Sequence, residues 1–235
     1  MALAARVTEA DLTRLDRLIE EQEANFLRRQ PRSAALAERA RRSLAGGVTS
    51  SWQISRPQPI WISHGAGSKV YDADGIEYVD LHGGYGVMAV GHAHPKVVEA
   101  VSSRVARGTH FAQPTEDAIA VAENLAQRFG LPKWRFANSG TEATMDAVHL
   151  MRAITGRPKI VKVEGSYHGH HDSVQVSVYQ ELELLGPVTR PHSVAASSGI
   201  PREITDLTLV VPFNDVAALE RVFDEQGDRI AGMIG

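Results

Sequence analysis

Trp134-Arg135-Phe136-Ala137-Asn138-Ser139-Gly140-Thr141-Glu142-Ala143 decides how the rest of the chain is read. The short apolar stretch 134–137 predicts a strand and the small polar residues after it a turn. Ala147, Leu150, Met151 and Ile154 then continue the segment as an amphipathic helix. A helix starting at such a turn leaves its first backbone N–H groups without intrahelical partners, with the positive end of the helix dipole behind them. Gly140 lets a ligand approach the backbone closely, and Ser139 and Thr141 add hydroxyl donors. These features suit a phosphate group. They equally suit a helix capped by Ser139 or Thr141, with Glu142 in its first turn.

A second run bears on that choice. Lys159-Ile160-Val161-Lys162-Val163-Glu164 predicts a strand and leads into Gly165-Ser166-Tyr167-His168-Gly169-His170-His171-Asp172. Residues 134–163 then form a strand–helix–strand unit long enough for a parallel crossover. Ligands of such sheets sit outside the carboxyl ends of the strands. Both polar runs lie at those ends, which makes both candidates to face one cofactor.

With these two runs in view, the chain resembles the class III, fold-type I pyridoxal-phosphate aminotransferases, and among them the glutamate-1-semialdehyde aminomutases. Further matching stretches are Gly46-Gly47-Val48, Tyr71-Asp72-Ala73-Asp74-Gly75-Ile76-Glu77-Tyr78 and Gly91-His92-Ala93-His94-Pro95, in the family's order over about residues 44–172. The resemblance implies that Ser139, Gly140 and Thr141 form the turn for the cofactor phosphate. It implies that Tyr167 stacks on the pyridine ring, with His168 beside it. An aromatic face parallel to an electron-poor ring is favourable, as are aligned N–H donors around a phosphate.

The departures bear on substrate. Where the aminomutase carries an arginine for the substrate carboxylate, this chain reads Thr49-Ser50-Ser51-Trp52-Gln53, with Gln53 at the arginine position. An amide cannot replace the bidentate, charged pair that a guanidinium makes. Tyr85, in Gly83-Gly84-Tyr85-Gly86, stands where the aminomutase has tryptophan. Trp52, Gln53 and Tyr85 are therefore the candidate substrate-binding residues, for a different amine or amino acid. The five lysines are Lys69, Lys96, Lys133, Lys159 and Lys162. None matches the context of the family's Schiff-base lysine, so no catalytic residue is assigned. The expectation is the N-terminal part of such an enzyme, inactive as it stands. The alternative is a non-catalytic remnant or phosphate-binding module that pairs with an intact homologue.

The chain is 235 residues long with a formal net charge of -3, which offers no electrostatic case for nucleic acid or an anionic membrane. It has no cysteine, so disulfides and thiolate chemistry are excluded within it. Residues 1–7 are too short and too soon charged to read as a secretory leader, and no apolar run is long enough to span a bilayer. A cytoplasmic protein is expected. By resemblance its partners are a small-molecule amino donor and acceptor, and a second copy of the full-length chain.

The expected organisation is an N-terminal segment, 1–80, of helices and a small-domain β-hairpin, then the first part of a large α/β domain, 81–235, with a mostly parallel sheet. Helices are expected at 8–29, capped by Thr8 and ended by Pro31, and at 33–45, 95–107, 115–128, 141–155 and 214–226. Strand-like runs are Ile60-Trp61-Ile62, Lys69-Val70-Tyr71 and Glu77-Tyr78-Val79, the last two joined at Asp74-Gly75. Further strands are expected at 133–137, 159–163, 207–211 and 229–234, and a long loop over 186–206. No metal is expected: His170 and His171 are adjacent and would point to opposite sides of an extended segment. His92 and His94 are expected to order the loop before Pro95. Ser139 lies in no Gly-x-Ser-x-Gly turn, against a Ser/His/Asp hydrolase.

Overall fold

Asp72 organises the first half of the chain. Its buried carboxylate accepts hydrogen bonds from the backbone N–H groups of Asp74 and Ile76 and from the Tyr78 hydroxyl. This closes the turn between two strands of a three-stranded antiparallel sheet: β1 (Ile62–Ala66), β2 (Lys69–Asp72) and β3 (Glu77–Val79), in the order β1-β2-β3. The expected hairpin at Asp74-Gly75 is therefore present, whereas the strand expected at 60–62 runs instead from Ile62 to Ala66. Backbone pairing with β2, Ala66 opposite Lys69, outweighs the apolar character of Ile60 and Trp61.

A computed structural model of the chain describes residues 9–235. The cap assigned to Thr8 and the leader assessment of residues 1–7 lie outside them. Helix α1 spans Glu9–Arg29 and α2 Pro31–Ala40. Pro31 not only ends α1 but opens α2, earlier than expected, because the first helical position needs no N–H. The donors that follow, Arg32 N and Ser33 N, are taken by the Asp74 carboxylate from the hairpin. Beyond Ala40 the chain passes into turns rather than continuing helical to 45. Helix α3 (Pro95–Val105) follows a loop in which His92 exchanges backbone hydrogen bonds with Gly67.

Two compact units result, one holding the described residues up to Pro114 and the other Thr115–Gly235. The division expected at 80/81 falls before that border.

The second unit contains α4 (Glu116–Phe129), α5 (Gly140–Thr155), β4 (Lys159–Val163), α6 (Arg202–Thr205), β5 (Thr208–Val211), α7 (Val216–Gln226) and β6 (Ile230–Ile234). Its strands form a sheet ordered β5-β4-β6, with β4 parallel to both neighbours. Alternate residues of β4 serve opposite faces. Ile160 packs with Val148 of α5 and with Val174, and Val161 packs with Val211, Ile230 and, from α7, Leu219 and Val222. Both faces of the central strand are thus covered, which explains the β-branched Ile160, Val161 and Val163 along it.

The strand expected at 133–137 does not form. The run pairs with no strand among the described residues, and Phe136 is exposed. An apolar run becomes a strand only when a neighbour takes up its backbone groups. The loop 186–206 is not free of structure. It contains α6, and its Val194 carbonyl accepts the Ser177 amide while the Ala196 amide donates to the Gln175 carbonyl.

Candidate functional site

Helix α5 begins in a capping box. Ser139 Oγ accepts from Glu142 N at 3.2 Å, and Glu142 Oε2 accepts from Ser139 N at 3.1 Å and from Asn138 N at 2.6 Å. The capping residue is Ser139, not Thr141. Of the first helical donors, Glu142 N is held by Ser139 Oγ and Ala143 N by the Ser139 carbonyl. The amides of Gly140 and Thr141 have no intrahelical acceptor. The Ser139 and Thr141 hydroxyl oxygens each accept one hydrogen bond, which leaves their protons to donate. A Cβ placed on Gly140 would meet nothing within 4 Å, so the backbone here is open to approach. Capping therefore leaves the Gly140 and Thr141 amides without an acceptor in the turn.

The second run lies against this turn. Thr141 Oγ1 accepts from His170 N at 3.0 Å, and Thr144 Oγ1 donates to the His168 carbonyl at 2.6 Å. Gly169 sits at φ +116°, where a Cβ would lie 2.8 Å from Thr141 Cα, so only glycine permits this approach. Tyr167 as a residue is 57% exposed. His168 Nε2 is buried without a protein partner. Burial, and secondarily the Lys162 charge, hold His168 below the ordinary imidazole value, so it is neutral near pH 7. Ser139, Gly140, Thr141, Tyr167 and His168, singled out in sequence, are thus brought onto two adjoining segments.

The candidate substrate residues lie in the first unit. The rings of Trp52 and Tyr85 meet edge-on, centroids 5.4 Å apart, and both are largely exposed. His82, not singled out in sequence, completes the cluster at 4.2 Å from Tyr85 and 6.3 Å from Trp52. Its Nδ1 accepts from Tyr85 N, whose residue holds a positive φ of 60°. The loop is anchored by Asp80, which accepts from the amides of His82 and Gly83 and pairs with His92 Nε2 at 2.7 Å. The His92 contact, then the Gly83 amide, lower the Asp80 carboxyl to about 2. Gln53 turns its amide oxygen back onto Thr49 Oγ1 and Ser50 N, at 2.6 and 3.1 Å, capping the turn that carries it.

Among the described residues, no three His, Asp or Glu side chains are arranged to hold a metal ion. His170 Nδ1 instead contacts Gln175 Nε2, and His171 Nε2 lies 3.4 Å from Thr144 Oγ1.

Sequence reasoning passed over Lys162. Its side chain is fully buried, and its Nζ donates to the carbonyls of Val163 and Val176 at 3.1 and 2.7 Å. The signal was a lysine between β-branched residues, Ile160-Val161-Lys162-Val163, a position that a doubly covered strand must bury.

A parallel sheet with helices on both faces, its central strand leading into a loop against a donor-rich helix start, has the architecture of the fold-type I transferases. An omega-transaminase from Sphaerobacter thermophilus superimposes with a TM-score of 0.81 at 42% identity, covering 86% of this chain and 46% of that one. A glutamate-1-semialdehyde aminomutase from Pseudomonas aeruginosa PAO1, in complex with PMP, superimposes with a TM-score of 0.83 at 31% identity, covering 96% of this chain and 48% of that one. The chain belongs to the class-III aminotransferases, whose family pattern matches residues 52–234. The glutamate-1-semialdehyde 2,1-aminomutase of Aeropyrum pernix is 44% identical over 207 residues, covering 86% of this chain and 46% of the relative. The chain spans about half the length of the curated relatives it matches.

Proposed function

We propose that the natural protein carrying this chain is a pyridoxal-phosphate-dependent enzyme that moves an amino group, by transfer between small molecules or by migration within one. The observation that carries this is the set of donors left over by the capping box: the Gly140 and Thr141 amides and the Ser139 and Thr141 hydroxyls. Four donors at a helix N-terminus suit a phosphate. The exposed Tyr167 ring and the unpartnered His168 Nε2 beside them suit a flat heterocycle with polar substituents. The residues present therefore fit pyridoxal 5'-phosphate.

When bound, the cofactor supplies an electron sink for the amine-bearing carbon. The chain's own residues bind and orient it. The α5 turn would hold the phosphate, Tyr167 would lie against the ring, and neutral His168 would offer a hydrogen bond to a ring substituent. Both lysines of β4, the strand that leads to Tyr167, are engaged. Lys162 is engaged with two carbonyls and Lys159 Nζ with Gln226 Oε1 at 2.6 Å. These 235 residues alone are accordingly inactive. Trp52, Tyr85 and His82 form an aromatic surface for the substrate side chain. With Gln53 in place of a cation, and its oxygen committed to the turn, the favoured substrate is an amine or amino acid other than that of the aminomutases. The exposed apolar stripe of α1, Leu12, Leu15, Leu18 and Ile19, supports a homodimer. Among the described residues, no helix is long and apolar enough to cross a membrane.

The test is titration of the natural protein with pyridoxal phosphate, followed by tryptophan fluorescence, with amino transfer then assayed over amines with and without a carboxylate. Saturable binding, weakened by Tyr167→Ala, and turnover are expected. An absence of saturable binding overturns the proposal.

A further inference from the structure

The loop carrying Tyr167 and His168 leaves the sheet at Val163 and folds back to Val176, which lies outside the sheet and bridges to Ala195. Three contacts close its base. Gly165 N donates to the Ser177 carbonyl at 2.8 Å, and Lys162 Nζ donates to Val163 O, where the loop departs, and to Val176 O, where it returns. Lys162 shares a face of β4 with Ile160, whose packing against Val148 and Val174 seals the surroundings. A fully buried ammonium is costly unless it is hydrogen-bonded, and here backbone carbonyls satisfy it. A methionine could fill the same space without that cost, so packing alone does not account for a lysine.

We propose that Lys162 is a positioning residue whose ammonium clasps both ends of the 163–176 loop and so sets where Tyr167 and His168 are presented. This rests on the assignment of that loop to the cofactor. Val176 O has no other donor among the described residues, so loss of the ammonium orphans it, while Val163 O keeps the Ser166 amide. The loop then loses its cross-brace but keeps the Gly165–Ser177 bond, which predicts a loosened loop on an intact sheet.

The test uses the natural full-length protein and its Lys162→Met variant, first without cofactor, by hydrogen exchange. Amides of residues 165–171 should exchange about tenfold faster in the variant, the size of one charge-assisted hydrogen bond, while those of α7 stay unchanged. The dissociation constant for pyridoxal phosphate should rise by about the same factor, with kcat at saturating cofactor changed less than about twofold. Lys162→Cys, alkylated in the unfolded state to aminoethylcysteine and refolded, should restore both values. Unchanged exchange at 165–171, or equal acceleration in α7, overturns the proposal. If Lys162→Met does not fold, reductive methylation of the wild type decides. Lys162 should react at least about tenfold more slowly than exposed Lys96 and Lys133, as its buried, bonded ammonium requires. Equal reactivity overturns the clasp. Tyr167→Ala separates the two ideas: unaltered cofactor affinity there removes the loop's assignment to the cofactor, whereas the exchange measurement judges the clasp alone.

Discussion

Thr141 Oγ1 accepts the amide hydrogen of His170 at 3.0 Å, joining the start of α5 to the loop that carries Tyr167. Thr144 adds a second tie, from its hydroxyl to the His168 carbonyl. One helix start thereby holds a set of phosphate-suited donors and the loop bearing an aromatic ring in a single arrangement.

That arrangement depends on Gly169. Its φ of +116° and the 2.8 Å approach of a built Cβ to Thr141 Cα leave no room for a side chain. Gly169→Ala should destabilise the natural protein by about 1–3 kcal/mol in denaturant unfolding, the cost of strained backbone. It should also weaken pyridoxal-phosphate binding, because the loop can relieve the clash only by withdrawing from α5.

Gly140→Ala should behave differently. Alanine meets nothing within 4 Å and improves helix propensity, so stability should hold or rise by up to about 1 kcal/mol. Cofactor affinity should fall, since the added methyl stands where a ligand approaches the backbone. Calorimetric titration of the variant checks this; unaltered affinity would show that no ligand comes close to Gly140.

The capping box separates structural from ligand donors. Ser139→Ala and Glu142→Ala should each cost about 1 kcal/mol of stability by chemical denaturation. Only Ser139→Ala removes a hydroxyl donor, so it should weaken phosphate binding. Glu142→Ala should leave binding unchanged or strengthen it, because a negative charge leaves the helix N-terminus.

Stability should follow pH in two windows. His168 and His171 titrate below the ordinary 6.5 when folded, each chiefly through burial. Between their folded values and 6.5 the unfolded chain binds more protons, so the stability present above that window declines as pH falls through it. Lys162 is lowered by burial to about 8 from an ordinary 10.5. Its contribution to unfolding free energy therefore rises from pH 8 to 10.5, by at most about 3 kcal/mol. Lys162→Met should lack the alkaline rise, which urea unfolding at stepped pH would resolve.

Much of this was legible along the chain, where signals are local. Ser139 followed three residues later by Glu142 marks a helix start wherever it sits, and Asp74-Gly75 marks a hairpin. The strand–helix alternation from Gly140 to Ile234 announces a parallel sheet, because each period is set by neighbours in sequence. Residues 133–137 show the limit. Their composition suits a strand, but pairing belongs to a partner that composition does not name.

Sequence alone determined the α/β class, the family resemblance and the two polar runs, since backbone propensity, capping and turn chemistry act over a few residues. Only tertiary structure decided that His82 joins Trp52 and Tyr85, that Gln53 folds back onto its own turn, and that Lys162 clasps a loop from inside the sheet. Those outcomes depend on groups distant in sequence that meet only when the chain has packed, where burial fixes which polar atoms must find each other.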